Sequence, residues 1–203
     1  MGIPPLARPE PTQASAARRC YGPVTRSLTA APRLSHRMLL PVSQSRIKEI
    51  LDGLYFDART QRGKGTAFER LVRQFLLTDP RHAERFDEVW MWSDWPERGA
   101  RPDRGIDLVA RERETGKLCA VQCKFYDPDT GVITKGDVDS FLAESGTGEF
   151  TSRLFVSTTE HWNSAAEETV SRQAIPVSRI GLEDLFNSTI DWDSFSLETP
   201  EVM

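Results

Sequence analysis

No stretch of the 203 residues approaches the roughly 20 consecutive apolar residues that a membrane-spanning helix needs, so such a helix is excluded. Cysteine is scarce and odd in number, at three, which argues against a disulfide framework and for a reducing compartment. Cys119 and Cys123 stand four apart on a predicted strand, roughly 13 Å by strand rise, too far to bridge each other. The three histidines, His36, His82 and His161, are scattered without the spacing of zinc ligands. A phosphate-binding loop is also missing: Gly63-Lys-Gly-Thr66 imitates its end, but Ala58 stands where the upstream glycine belongs and no strand precedes it. Without a Walker motif the chain is not itself a translocating motor.

Charge of one sign is scarce at each end of the chain. Residues 1–40 hold six Arg and a single acid, whereas residues 141–203 hold three basic and 11 acidic side chains; the whole sums to −4. Global acidity therefore does not advertise nucleic-acid binding, and any such surface must be local. Residues 1–40 are rich in Pro, Ala, Ser and Arg and show neither helical nor strand periodicity, which reads as a disordered extension. The same composition fits an organellar transit peptide. The plainer reading, preferred here, is an upstream extension with translation starting at Met38. An apolar content of 38% with 28% charged residues is ordinary for a globular domain, placed at residues 41–195 and expected in the cytoplasm. Residues 196–203 read as an acidic tail, a truncation or a linker to a missing helicase domain.

Within the domain, Ile47, Ile50, Leu51 and Leu54 form one helical stripe over residues 44–56, followed by a polar loop, 57–65, carrying Arg59, Arg62 and Lys64. Phe68, Leu71, Val72, Phe75 and Leu76 predict a second helix from Thr66 to about Leu77, which Asp79-Pro80 stops. Strands are expected at 87–95, 105–111 and 117–126, with a hairpin turn at Glu114-Thr-Gly-Lys117. A helix at 135–144, a strand at 152–158, a helix at 163–173, a short strand at 175–180 and a short helix at 182–187 complete the order. It implies an α/β fold with a mixed central sheet flanked by helices, antiparallel in front and with crossover helices behind.

Two of the strands carry polar groups inside apolar runs: Asp107 in Gly105-Ile-Asp-Leu-Val109, and Gln122 and Lys124 in Cys119-Ala-Val-Gln-Cys-Lys124. Buried charges are costly unless paired, solvated in a cleft or bound to a metal. Strand alternation puts Gln122 and Lys124 on one face and turns Cys123 to the other, as a small core residue. The spacing of 15 and 17 residues from Asp107 suits neighbouring strands joined by a tight turn, so the polar groups converge. A hard divalent cation such as Mg²⁺ wants carboxylate and carbonyl oxygens, which Asp107 and Gln122 supply. A nearby lysine stabilises the charge that builds on a phosphoryl group under attack or helps deprotonate the water. Phosphodiester hydrolysis needs this set.

The pattern Gly-Ile-Asp107 … Gln122-Cys-Lys124, with Glu69 on the preceding helix, resembles the PD-(D/E)XK nuclease superfamily in its Mrr-like form, in which the motif acid is often replaced by Gln. The runs Gly65-Thr-Ala-Phe-Glu-Arg-Leu-Val72, Val89-Trp-Met-Trp92, Gln122-Cys-Lys-Phe-Tyr126, Asp139-Ser-Phe141 and Val156-Ser-Thr-Thr159 extend the likeness over about residues 45–195. They are similar to the N-terminal nuclease domain of type ISP restriction enzymes and related helicase-nuclease proteins. The resemblance implies a restriction-endonuclease-like αβββαβ core. Asp107 would be the main metal ligand and Lys124 the catalytic lysine, with Gln122 in the second motif position and Glu69 an auxiliary ligand or orienting group. The expected cofactor is Mg²⁺, with Mn²⁺ able to substitute. Expected partners are double-stranded DNA, a helicase and methyltransferase region in the same or an adjacent chain, and a second nuclease copy for double-strand cleavage. The competing expectation is a catalytically weak or inactive nuclease-fold domain that binds DNA or acts as a scaffold, because Gln122 removes one negative charge from the site. Trp90, Trp92 and Trp95 are expected in the core. Arg59, Arg62 and Lys64, with Arg98, Arg101 and Arg104, are candidates for phosphate contacts.

Overall fold

Five side chains, Phe68, Leu71, Val72, Phe75 and Leu76, are fully buried on one face of a helix, and that stripe fixes the first layer of the molecule. Each contributes about 1.5–3 kcal/mol relative to exposure, which outweighs the two glycines in the helix's first turns. The structure, a computed structural model, describes residues 42–57, 60–102 and 105–194. The expectations for residues 1–40 and 196–203, and for Arg59 and Arg104, lie outside the described residues.

The elements run α1 (Val42–Asp57), α2 (Gln61–Thr78), α3 (Pro80–Arg85), β1 (Phe86–Met91), β2 (Leu108–Glu112), β3 (Leu118–Lys124), α4 (Lys135–Glu144), β4 (Phe150–Ser157), α5 (Ser164–Ser171), β5 (Val177–Ile180) and α6 (Leu182–Phe186). The sheet order is β1-β2-β3-β4-β5. The first three strands are antiparallel neighbours, while β3/β4 and β4/β5 are parallel. The fold is thus the mixed α/β sheet flanked by helices that the sequence implied. One core packs α1, α2 and the C-terminal Ile190 and Trp192 against Leu108, Val121 and Cys123. The other packs α4 and α5 against Val109, Ala120 and Phe155, with Trp92 and Trp95 buried in it. No described helix is long and apolar enough to cross a membrane.

Several element ends differ from expectation for local reasons. The supposed loop before α2 is helical from Gln61, because the Thr60 hydroxyl accepts from Gly63 N at 3.0 Å and caps it; Arg62 and Lys64 therefore ride on the helix. Asp79-Pro80 ends α2 but also starts α3, with Asp79 as cap and proline in its first turn. The first strand stops at Met91 and passes into a 3₁₀ turn, Trp92–Asp94. The 114–117 turn forms, with Gly116 at φ +67° and Glu112 N donating to Lys117 O at 2.8 Å.

Asp79 is 1% exposed and joins the α2–α3 corner to the C-terminal segment. Its carboxylate accepts from Arg81 N at 3.1 Å and from the Ser188 hydroxyl at 2.7 Å. Burial raises the Asp79 pKa, but the bonds from Ser188 and Arg81 outweigh it and hold the carboxyl below its usual range. A depressed carboxylate stabilises the fold above the unfolded-state pKa, and that contribution is lost as pH falls through the folded one. Asp79→Asn should therefore cost about 1–2 kcal/mol at pH 7 in a urea titration, with a smaller deficit below about pH 4. A deficit independent of pH would contradict this role.

Candidate active site

Asp107 sits just ahead of β2, held by its backbone before its side chain is considered. Its N–H donates to Val121 O at 2.9 Å, and its carbonyl accepts from Trp92 N at 2.8 Å. Since Leu108 pairs with Val121, this bond carries the β2–β3 register one residue further and brings Asp107 beside Gln122. Gly105, at φ +97°, makes the approach possible: a Cβ there would stand 2.7 Å from Ser140 Oγ and 3.1 Å from Phe141 N of α4.

The side chains meet as the backbone directs. Asp107 Oδ2 accepts from Cys123 N at 2.6 Å and from the Gln122 amide. Gln122 Nε2 also donates to Cys123 O at 3.3 Å, so both neighbours of that nitrogen are acceptors and the amide orientation follows. Gln122 Oε1 is then left buried, in a residue 4% exposed, without a hydrogen-bond partner among the described residues. A buried acceptor without a partner costs about 1–3 kcal/mol. An oxygen beside a carboxylate is one donor set that a hard divalent cation takes.

Lys124 ends β3, a quarter exposed, with Nζ 3.5 Å from Asp137 Oδ1 at the start of α4. Glu69 lies on α2, on the opposite side of the sheet from α4, half-buried beside Gly65. Burial drives the Cys123 thiol pKa well up; the charges of Asp107 and Glu69 add to this and Lys124 opposes it. All three charges are thus felt at one strand residue. Among the described residues no group of three or more His, Cys, Asp or Glu side chains is arranged to hold a metal ion.

Asp137 and Tyr126 are the neighbours of Lys124 that the sequence reading missed. The Tyr126 hydroxyl donates to Asp137 Oδ1 at 2.5 Å. Burial, then the bond to Asp137 and its charge, push the Tyr126 pKa to about 12. Burial raises Asp137, but bonds from Tyr126 and Thr134 and the Lys124 charge outweigh it and hold the carboxyl below its usual range. Thr134-x-x-Asp137 was readable as a helix start, but its nearness to Lys124 depends on the crossover from β3 to α4.

Of the candidate phosphate contacts, Arg101 is engaged: it pairs with Glu149, donates to Glu97 O at 2.6 Å and lies 4.6 Å from the Trp95 ring. Lys64 lies 4.1 Å from the Tyr55 ring and Arg62 is exposed. A groove of about 440 Å³ beside Tyr126 carries Asp127 and Asp129, and its Lys48 pairs with Asp52 at 2.7 Å, so it makes a poor phosphate cradle.

The Mrr_cat_2 family model, described as a restriction endonuclease, matches residues 77–202. Among solved structures, the ATP-dependent type ISP restriction-modification enzyme LlaBIII bound to DNA is similar at 38% identity and a TM-score of 0.61, over 74% of this chain. The match spans only 9% of that much longer polypeptide. MspJI restriction endonuclease in complex with a 27-mer oligonucleotide is similar at 22% identity and TM-score 0.47, over 79% of this chain and 34% of that one. The DNA modification-dependent restriction endonuclease AspBHI is similar at 17% identity and TM-score 0.44, over 80% and 38%. No curated protein matches. With a family model covering more than half of its length, the chain belongs to the Mrr_cat_2 family of restriction endonucleases.

Proposed function

We propose that this chain hydrolyses phosphodiester bonds of double-stranded DNA with the help of a divalent cation, Mg²⁺ or in its place Mn²⁺. The observation that carries the reading is the convergence of Asp107, Gln122 and Lys124 at one edge of the β2–β3 pair, with Gln122 Oε1 buried and unmatched. Asp107 and Gln122 Oε1 would hold the cation, with Glu69 assisting from α2. A bound cation supplies Lewis acidity at the scissile phosphate and lowers the pKa of water. Water oxygen bonds to phosphorus as its proton passes to solvent, the bond from phosphorus to the leaving deoxyribose oxygen breaks as that oxygen takes up a proton from solvent, and Lys124 neutralises charge on the phosphoryl oxygens.

One site cuts one strand, so the chain alone is expected to nick. Double-strand breaks require a second copy, and movement along DNA requires a motor in the same or an adjacent chain. The direct test incubates purified protein with supercoiled plasmid and Mg²⁺ or Mn²⁺, with chelator as control. Conversion to the nicked circle only when metal is present is expected; metal-independent conversion would overturn the mechanism.

The alternative, a nuclease fold that binds DNA without cutting it, is favoured by the neutral Gln122 and by the lack of a three-acid cluster among the described residues. Calorimetric titration separates the two: no uptake of Mg²⁺ or Mn²⁺ with DNA affinity intact supports the alternative. Gln122→Glu gives a sharper result. It places a second carboxylate where the amide now donates to Asp107, so in chelator the protein should lose about 1–3 kcal/mol of stability. Added Mg²⁺ should raise the melting temperature of the variant more than that of the wild type. Equal responses would remove position 122 from the metal site.

A further inference from the structure

We propose that Asp137 is a positioning residue for Lys124, one carboxylate that fixes the start of α4 with one oxygen and the ammonium with the other. The inference rests on the reading of Lys124 as the group that neutralises the attacked phosphoryl. Oδ2 faces the helix: it accepts from Thr134 N at 2.8 Å and from the Thr134 hydroxyl at 2.7 Å. Oδ1 faces the site, accepting the Tyr126 hydroxyl at 2.5 Å and standing 3.5 Å from Lys124 Nζ.

The division of labour between the two oxygens matters because both ends are anchored independently. α4 is held by buried Val138, Phe141 and Leu142. The chain after β3 is held where Tyr126 N donates to Thr158 Oγ1 at 2.8 Å and the Thr158 hydroxyl donates back to Tyr126 O at 2.6 Å. Oδ1 therefore has a fixed place relative to the end of β3. Lys124 carries a flexible four-carbon stem, and a fixed anion selects among its rotamers. The side chains are 26% and 14% exposed, so the pair is less screened than a surface ion pair. At 3.5 Å the ammonium is beyond an ordinary hydrogen bond, while Tyr126 takes the short bond to Oδ1. Asp137 thus aims Lys124 without consuming the donors a phosphate needs.

Asp137→Asn separates the two roles. The amide oxygen can take the Oδ2 place, because an NH₂ there would face the Thr134 N–H, and the NH₂ then replaces the oxygen that Tyr126 and Lys124 meet. Thr134→Val is the complementary variant, weakening the cap without touching Lys124. For each variant of the 203-residue chain three quantities are read: the single-turnover nicking rate, plasmid affinity, and reductive methylation of Lys124 relative to exposed Lys135 by mass spectrometry.

Asp137→Asn should slow nicking by about ten- to a hundredfold, the scale of a small misplacement of a reacting group, with affinity within about twofold. Lys124 methylation should rise several-fold. Thr134→Val should lower the melting temperature and leave both rate and methylation near wild type. Unchanged methylation in Asp137→Asn would overturn the anchoring. Raised methylation with undiminished nicking would overturn its importance to the reaction, and a matching rate loss in Thr134→Val would assign the effect to the helix cap. Nicking by Lys124→Ala at the wild-type rate would overturn the underlying nuclease reading and this role with it.

Discussion

Alanine at Asp107 or at Lys124 should slow plasmid nicking by at least about a thousandfold, equivalent to roughly 4 kcal/mol of lost transition-state stabilisation. The two losses have different origins and can be told apart. Lys124 contributes charge at the phosphoryl group, and its ion pair with Asp137 is long, so Lys124→Ala should cost less than about 1 kcal/mol of stability. Its affinity for Mg²⁺ and Mn²⁺ should persist. Asp107 is also structural, since its Oδ2 collects Cys123 N and the Gln122 amide. Asp107→Ala therefore strands buried donors as well as removing the charge. Asp107→Asn keeps an acceptor for both while removing the charge, so it should unfold at a higher urea concentration than Asp107→Ala yet show no calorimetric metal uptake and no nicking. Nicking that survives Asp107→Asn and Lys124→Ala together would sink this assignment of the site.

Strands β2 and β3, with Asp107 just ahead of the first and not inside the strand expected from residue 105, were legible because the anomaly was local: an acid, an amide and an ammonium inside apolar runs that alternation assigns to faces. The α2 stripe was legible for the same reason, being one element's own periodicity. What escaped depended on partners distant in sequence or on residues with two meanings. Gly63 and Gly65 favour loop in isolation, and only the Thr60 cap and the stripe that follows carry α2 through them. Pro80 stops one helix and opens the next. Asp137 is polar at an exposed helix start, where polarity is unremarkable, and only the β3–α4 crossover sets its second oxygen against Lys124.

The same logic that flagged Gln122 applies to a residue the sequence reading passed over, Arg153 in Phe150-Thr-Ser-Arg-Leu-Phe-Val156. It is 3% exposed, and burial alone lowers its pKa. No carboxylate pairs with it among the described residues. Instead Nε donates to Ser145 Oγ at 2.8 Å, one terminal nitrogen to Leu142 O at 3.0 Å, and the other to Gln173 Oε1 at 3.2 Å and Ile175 O at 3.1 Å. The guanidinium thus joins β4 to the C-terminal end of α4 and to the segment after α5. Arg153→Met would fill the volume but strand these acceptors, and should cost about 3–5 kcal/mol in a urea titration even after the desolvated charge is relieved. Arg153→Lys keeps the charge but not the fork, and should recover less than half of that loss. Because Arg153 holds the far end of the helix that carries Asp137, the nicking rate of Arg153→Met measured well below its melting temperature should stay within about threefold of wild type. A collapse of the rate in folded protein would mean that the α4 register itself, and not only Asp137, sets the aim of Lys124.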